Sequence, residues 1–178
     1  MKKLLIVLVA AGLIVSFAAS DVFARGIMLK GGYATMRNDL ADAEYEDTWT
    51  FGIFFDMGTF LFPSLRFKPG VDWVSLETED QSIADVYGIH MDWYWFFMGD
   101  RSIAPFLGFG PSLNYYDREA RGDEDEDSDA GVDLFLGAQM KLGGTPFDLM
   151  LEARYRFLDI ADRGANILAF NIGLQYNF

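Results

Sequence analysis

From Leu168 to Phe178 the chain alternates without a break. Leu168, Phe170, Ile172, Leu174, Tyr176 and Phe178 are large and apolar, and the residues between them, Ala169, Asn171, Gly173, Gln175 and Asn177, are small or polar. A period of two belongs to a β-strand, whose successive side chains point to opposite faces. Both phases are committed, so a slip of one residue would exchange the two faces completely. Any fold for this chain must give this strand one apolar and one polar surrounding.

The same rhythm recurs upstream. Phe147 to Phe157 interleaves Asp148, Met150, Glu152, Arg154 and Arg156 with Leu149, Leu151, Ala153 and Tyr155. Val132 to Leu142 interleaves Asp133, Phe135, Gly137, Gln139 and Lys141. Pro105 to Tyr115 interleaves Phe106, Gly108, Gly110, Ser112 and Asn114. Tyr87 to Phe97 carries Gly88, His90, Asp92, Tyr94 and Phe96 on its second phase. Leu65 to Trp73 carries Arg66, Lys68, Gly70 and Asp72, and Trp49 to Met57 carries Thr50, Gly52, Phe54 and Asp56. Ile27 to Tyr33, with Met28, Lys30 and Gly32 between, is the least regular. The pattern predicts eight strands of roughly ten residues, the length of a tilted strand crossing hydrocarbon. Pro69, Pro105 and Pro111 lack an N–H for a ladder, which predicts bulges or strand ends there.

The first 24 residues read as a leader. Lys2 and Lys3 precede an apolar run from Leu4 to Val15, and Val22-Phe23-Ala24 fits a small-x-small cleavage site. That three-part order is a secretory signal peptide ending at Ala24. Residues 25–178 then form one domain, whose formal charge moves from −13 to −14 on loss of Lys2, Lys3 and Asp21. With no cysteine in the chain, disulfide and thiolate–metal chemistry are excluded. The acidity argues against a nucleic-acid partner.

Hydrophobic residues make up 51% and aromatics 16% of the chain, yet beyond residue 24 no apolar run is long enough for a spanning helix. The apolar phase of the strands must therefore meet something apolar that the chain itself does not supply. An all-β, eight-stranded, antiparallel, up-and-down transmembrane barrel satisfies this: apolar side chains face lipid, polar ones face the lumen, and closure leaves no edge. A soluble sandwich or lipocalin-like barrel would put the apolar phase inside, where here the charges fall.

The connections alternate in kind. Gly58–Pro63, Gly99–Ser102 and Gly143–Pro146 are short, whereas residues 37–48, 77–83, 117–130 and 159–165 are longer and polar. Short periplasmic turns and longer external loops are the usual asymmetry of such barrels, with both termini periplasmic. Of the 26 acids after residue 24, 19 fall on the loop side. The inward phase holds Asp56, Asp72, Asp92, Asp133, Asp148 and Glu152 against Lys30, Arg66, Lys68, Lys141, Arg154 and Arg156, with His90 among them. Equal and opposite charge is what a low-dielectric interior requires, so these residues are expected to form a lumen ion-pair network. Trp93, Trp95, Phe97, Phe147, Tyr176 and Phe178 at one end, and Trp49, Trp73, Tyr115, Tyr155 and Phe157 at the other, predict two aromatic girdles.

The terminal Tyr176-Asn177-Phe178, preceded by Phe, Ile and Leu at alternate positions, resembles the C-terminal strand signal of bacterial outer-membrane barrels. The whole of residues 25–178 resembles the small eight-stranded outer-membrane β-barrel superfamily of the outer membrane protein A transmembrane domain and outer membrane protein X type. The resemblance implies the outer membrane of a Gram-negative bacterium and export by the general secretion pathway. It also implies insertion by the barrel-assembly machinery, with Tyr176 and Phe178 as the assembly signal. Members of the superfamily are adhesins, surface-protection proteins, narrow pores and lipid A-modifying enzymes.

The leading functional expectation is a non-enzymatic outer-membrane protein with a structural, surface-interaction or adhesion role through its acidic loops, with no cofactor and no resident metal. Its partners would be outer-membrane lipids and lipopolysaccharide. In the loop at 117–130, Asp123, Glu124, Asp125, Glu126, Asp127 and Asp129 read either as a solvated, mobile charge run or as a surface that captures divalent cations, since hard cations prefer carboxylate oxygens. The spacing is not that of an EF-hand, lacking its sixth-position Gly and twelfth-position Glu. A narrow porin-like channel is the second expectation. A lipid A-modifying enzyme is the third, resting on His90 with Asp92 two residues away on the same inward face as a conceivable proton relay.

Overall fold

The structure, a computed structural model, describes residues 24–37, 48–77, 83–98, 101–120, 123–158 and 165–178. The leader through Phe23 and most of the three polar connections at 37–48, 77–83 and 159–165 lie outside the described residues. Eight strands form the wall: β1 (Gly26–Arg37), β2 (Thr48–Asp56), β3 (Phe62–Glu77), β4 (Ile83–Phe96), β5 (Ile103–Ala120), β6 (Asp123–Lys141), β7 (Phe147–Leu158) and β8 (Ala165–Asn177). Each pairs antiparallel with its sequence neighbours. The pairing of β1 with β8 closes the sheet, through rungs running from Gly26↔Asn177 to Arg37↔Asn166. Among the described residues no helix is long and apolar enough to cross a membrane; the crossing elements are strands.

Antiparallel order places the start of β1, the end of β8 and the three short turns at one rim, called here the terminal end, and the four other connections at the opposite, loop end. The turn between β2 and β3 carries a two-residue rung, Thr59–Phe60, with a register shift. Its tip is Leu61, in the left-handed region at φ 62°.

The alternation translates directly into two surfaces. Leu136, Ile172 and Phe170 are each more than half exposed on the outside, while Tyr94, Asp92 and Phe54, on the inward phase, are fully buried. Among the described residues no charged side chain projects outward through the middle of a strand.

Two expectations are corrected. Pro69, Pro105 and Pro111 do not break strands: β3 and β5 run through them with unbroken register on at least one side. The missing N–H shows instead as lost rungs. The β4–β5 ladder skips from His90↔Ser112 to Trp93↔Phe109 opposite Pro111, and the β2–β3 ladder stops at Phe54↔Gly70, beside Pro69.

The acidic segment expected as a loop is strand. β5 and β6 continue outward as a paired hairpin to Ala120↔Asp123, with like charges opposed at Glu119↔Glu124 and Asp117↔Glu126 and opposite charges at Arg118↔Asp125. The β6–β7 ladder ends at Gly131↔Leu158, so residues 123–130 are paired on one side only among the described residues.

Candidate functional site

The inward side chains fill the barrel in layers, consistent with the narrow bore of eight strands. In the terminal half of the barrel an apolar cluster gathers Met28, Phe54, Tyr94, Phe96, Phe106, Phe135 and Met150. Toward the loop end Ala34, Val74, Val86, Leu158 and Ile167 are all buried. Between these layers lies the ionic centre.

Small residues make the room for it. A Cβ on Gly108 would collide with the Phe135 ring, and one on Gly88 would collide with both His90 and Asp72. The glycines on the inward phase are therefore the space into which the large polar side chains of neighbouring strands project.

Arg154 is the hub. Its Nη1 donates to Asp133 Oδ2 at 3.0 Å, its Nε to Glu152 Oε1 at 3.0 Å, and its Nη2 to Asp92 Oδ2. Its guanidinium carbon also lies 4.3 Å from the Phe135 ring centroid. Arg156 donates to Asp133 Oδ1 at 2.9 Å and to Asp72, and reaches Asn114 at 3.3 Å. Lys30 donates to Glu152 at 2.9 Å and stands 3.7 Å over Phe54, and Tyr94 donates to the other oxygen of Glu152 at 2.8 Å. These donors come from fixed strands, so every buried carboxylate here meets at least one cation, the condition for tolerating charge at low dielectric.

A second cluster lies nearer the terminal end. Asp56 meets Arg66 at 2.6 Å and Lys68 at 3.5 Å, and accepts from Gln175 at 3.1 Å. Lys68 donates to Gln175 at 2.7 Å, and Asp148 accepts from Gln139 at 2.6 Å.

Most of the residues expected in the network are thus brought together. Lys141 is not: it is exposed at the terminal rim and pairs with no described acid. The inward phase gave its direction but not its depth. The expected His90–Asp92 pair does not form either. His90 Nδ1 lies 2.8 Å from Asp133 and its Nε2 2.8 Å from Asp72, while Asp92 is held by Arg154. His90, Asp92 and Asp133 approach closely enough to suggest a metal site, but the Arg154 guanidinium already bridges both aspartates, supplying the positive charge a metal would bring.

Other members of the network were not expected from sequence, among them Tyr94, Asn114, Gln139, Asn171 and Gln175. All are polar residues on the inward phase; counting every inward polar group, not only formal charges, would have found them.

The fold has known counterparts. Neisserial surface protein A matches with a TM-score of 0.68 at 16% identity, over 86% of this chain and 96% of its own. The N-terminal β-barrel domain of Pseudomonas aeruginosa OprF matches at 0.53 and 9% identity, over 85% and 98%. Ail, the attachment invasion locus protein of Yersinia pestis, matches at 0.52 and 9%, over 86% and 100%. At such identities the likeness shows the fold alone. No curated protein matches the sequence. The pattern of the outer membrane protein beta-barrel domain, however, matches residues 5–178, and the chain belongs to that family of Gram-negative outer-membrane barrels.

Proposed function

We propose that this protein is a non-conducting, non-enzymatic wall element whose acidic loop end meets the lipopolysaccharide surface through shared divalent cations. The observation that carries this reading is the ion-paired lumen, with buried apolar side chains packed above and below the ionic centre. It leaves the displayed loop end as the surface where partners can act, as is usual for loops on rigid scaffolds. That end holds 19 of the 26 acids that follow residue 24, and carboxylates are the ligands hard cations prefer.

In this reading the terminal end and both chain termini face the periplasm, the leader is removed after Ala24, and Tyr176 and Phe178 serve recognition by the barrel-assembly machinery. His90, only 1% exposed, serves the network and not a reaction.

Two measurements test it. Reconstituted in planar bilayers, the barrel gives no unitary conductance steps; regular steps would favour a channel. Titrated calorimetrically with calcium, it binds below about 1 mM, and neutralising Asp123 to Asp129 with Asn and Gln weakens that binding. Absence of sub-millimolar binding removes the cation reading.

A further inference from the structure

At the terminal end the lumen opens into a cavity of about 460 Å³ that reaches Phe96. Its wall carries four cations, Arg25, Arg66, Arg101 and Lys141, against one carboxylate, Asp148. These are four of the twelve Lys and Arg residues that follow residue 24, in a chain of formal charge −13. Arg66 is committed to Asp56, and Asp148 accepts from Gln139 and Asn177. Arg25, Arg101 and Lys141 are exposed and form no ion pair with a described residue.

The contrast with the lumen is informative. In the ionic centre Lys30, Arg154 and Arg156, together with His90, lie against Asp72, Asp92, Asp133 and Glu152, so each buried charge has a partner. At the mouth, among the described residues, four cations face one lining carboxylate. Like charges gathered around a concavity repel one another unless a counter-charge sits between them, and low-dielectric walls focus the field into the opening.

We propose that this vestibule binds a small multivalent anion carrying phosphate or carboxylate groups. Guanidinium forks match the planar edge of either group with two parallel hydrogen bonds. Thr59 and Ser64 line the same cavity and add hydroxyl donors. The volume falls within the range of small-molecule sites, and several separate cations favour an anion with more than one charged group over chloride.

The test uses the full barrel folded in a zwitterionic detergent, with pyrophosphate and citrate titrated separately by calorimetry at low ionic strength. We expect one saturable site for at least one anion, about 1 mM or tighter and weakening as salt rises. The Arg101→Gln/Lys141→Gln variant should bind about tenfold more weakly, and Arg118→Gln, at the opposite end, should bind as the parent does. Pyrophosphate binding alone assigns phosphate chemistry, and citrate binding alone assigns carboxylate chemistry. No saturable heat with either anion, or equal affinity in the double variant, overturns the proposal. Heat-modifiable gel mobility of each sample establishes that the barrel is folded, so a failure of the fold is distinguished from a failure of binding.

Discussion

Lys30 and Glu152 meet at 2.9 Å inside the lumen, from strands β1 and β7, which share no ladder and flank β8. The contact is a strut that bridges the strand between them. Glu152 is also the acceptor for Arg154 and Tyr94. Replacing it by Met leaves the buried Lys30 without its carboxylate and Tyr94 without its acceptor, and should destabilise the barrel by about 3–5 kcal/mol in urea unfolding. Removing both partners, in Lys30→Met/Glu152→Met, should cost less than Glu152→Met alone. A double variant that loses as much as the single one would mean the strut is not the interaction at stake.

Gly108 faces the Phe135 ring so closely that a methyl group must displace it. Gly108→Ala should cost about 1–3 kcal/mol by overpacking. Gly143, whose Cβ would stand in open space, is the control: Gly143→Ala should stay within about 0.5 kcal/mol of the parent.

Leu61 holds a positive φ at the exposed tip of the β2–β3 turn. Asn tolerates that region better than a bulky apolar residue and lacks the chain entropy of Gly. Leu61→Asn should therefore raise stability by about 0.5–1 kcal/mol in the same unfolding assay.

The outer face should respond to charge in proportion to depth. Leu136, 57% exposed in β6 and flanked on the sheet by Leu107 and Ala153, faces lipid. Leu136→Arg should cost about 2–4 kcal/mol when the barrel is folded into bilayers. A neutral result would mean that this face does not contact hydrocarbon.

The strands were legible because the pleat allows only two directions for a side chain. Asp92 and Tyr94 could not point inward without Trp93 and Trp95 pointing outward. Depth and partnership were not legible in the same way. Asp133 reaches His90, Arg154 and Arg156 because of how the tilted strands are staggered around the bore, a quantity no single strand encodes. Lys141 shares its phase with Asp133 yet lies at the rim, and Asp92 was paired with the wrong neighbour for the same reason. The hairpin of β5 and β6 was misread as a loop for another reason: runs of Asp and Glu have low intrinsic strand preference, and register extended outward from β5 and β6 overrides it.

That hairpin has a consequence beyond its own folding. A closed barrel has no edge, but among the described residues 123–130 of β6 lie past the last rung with β7 and pair on one side only. A bare strand edge is a template for the matching edge of a neighbouring molecule. Here that segment is almost entirely Asp and Glu, so two copies that approach edge to edge along it meet as like charges. A run of like charge along a strand edge disfavours the edge-to-edge pairing of two copies.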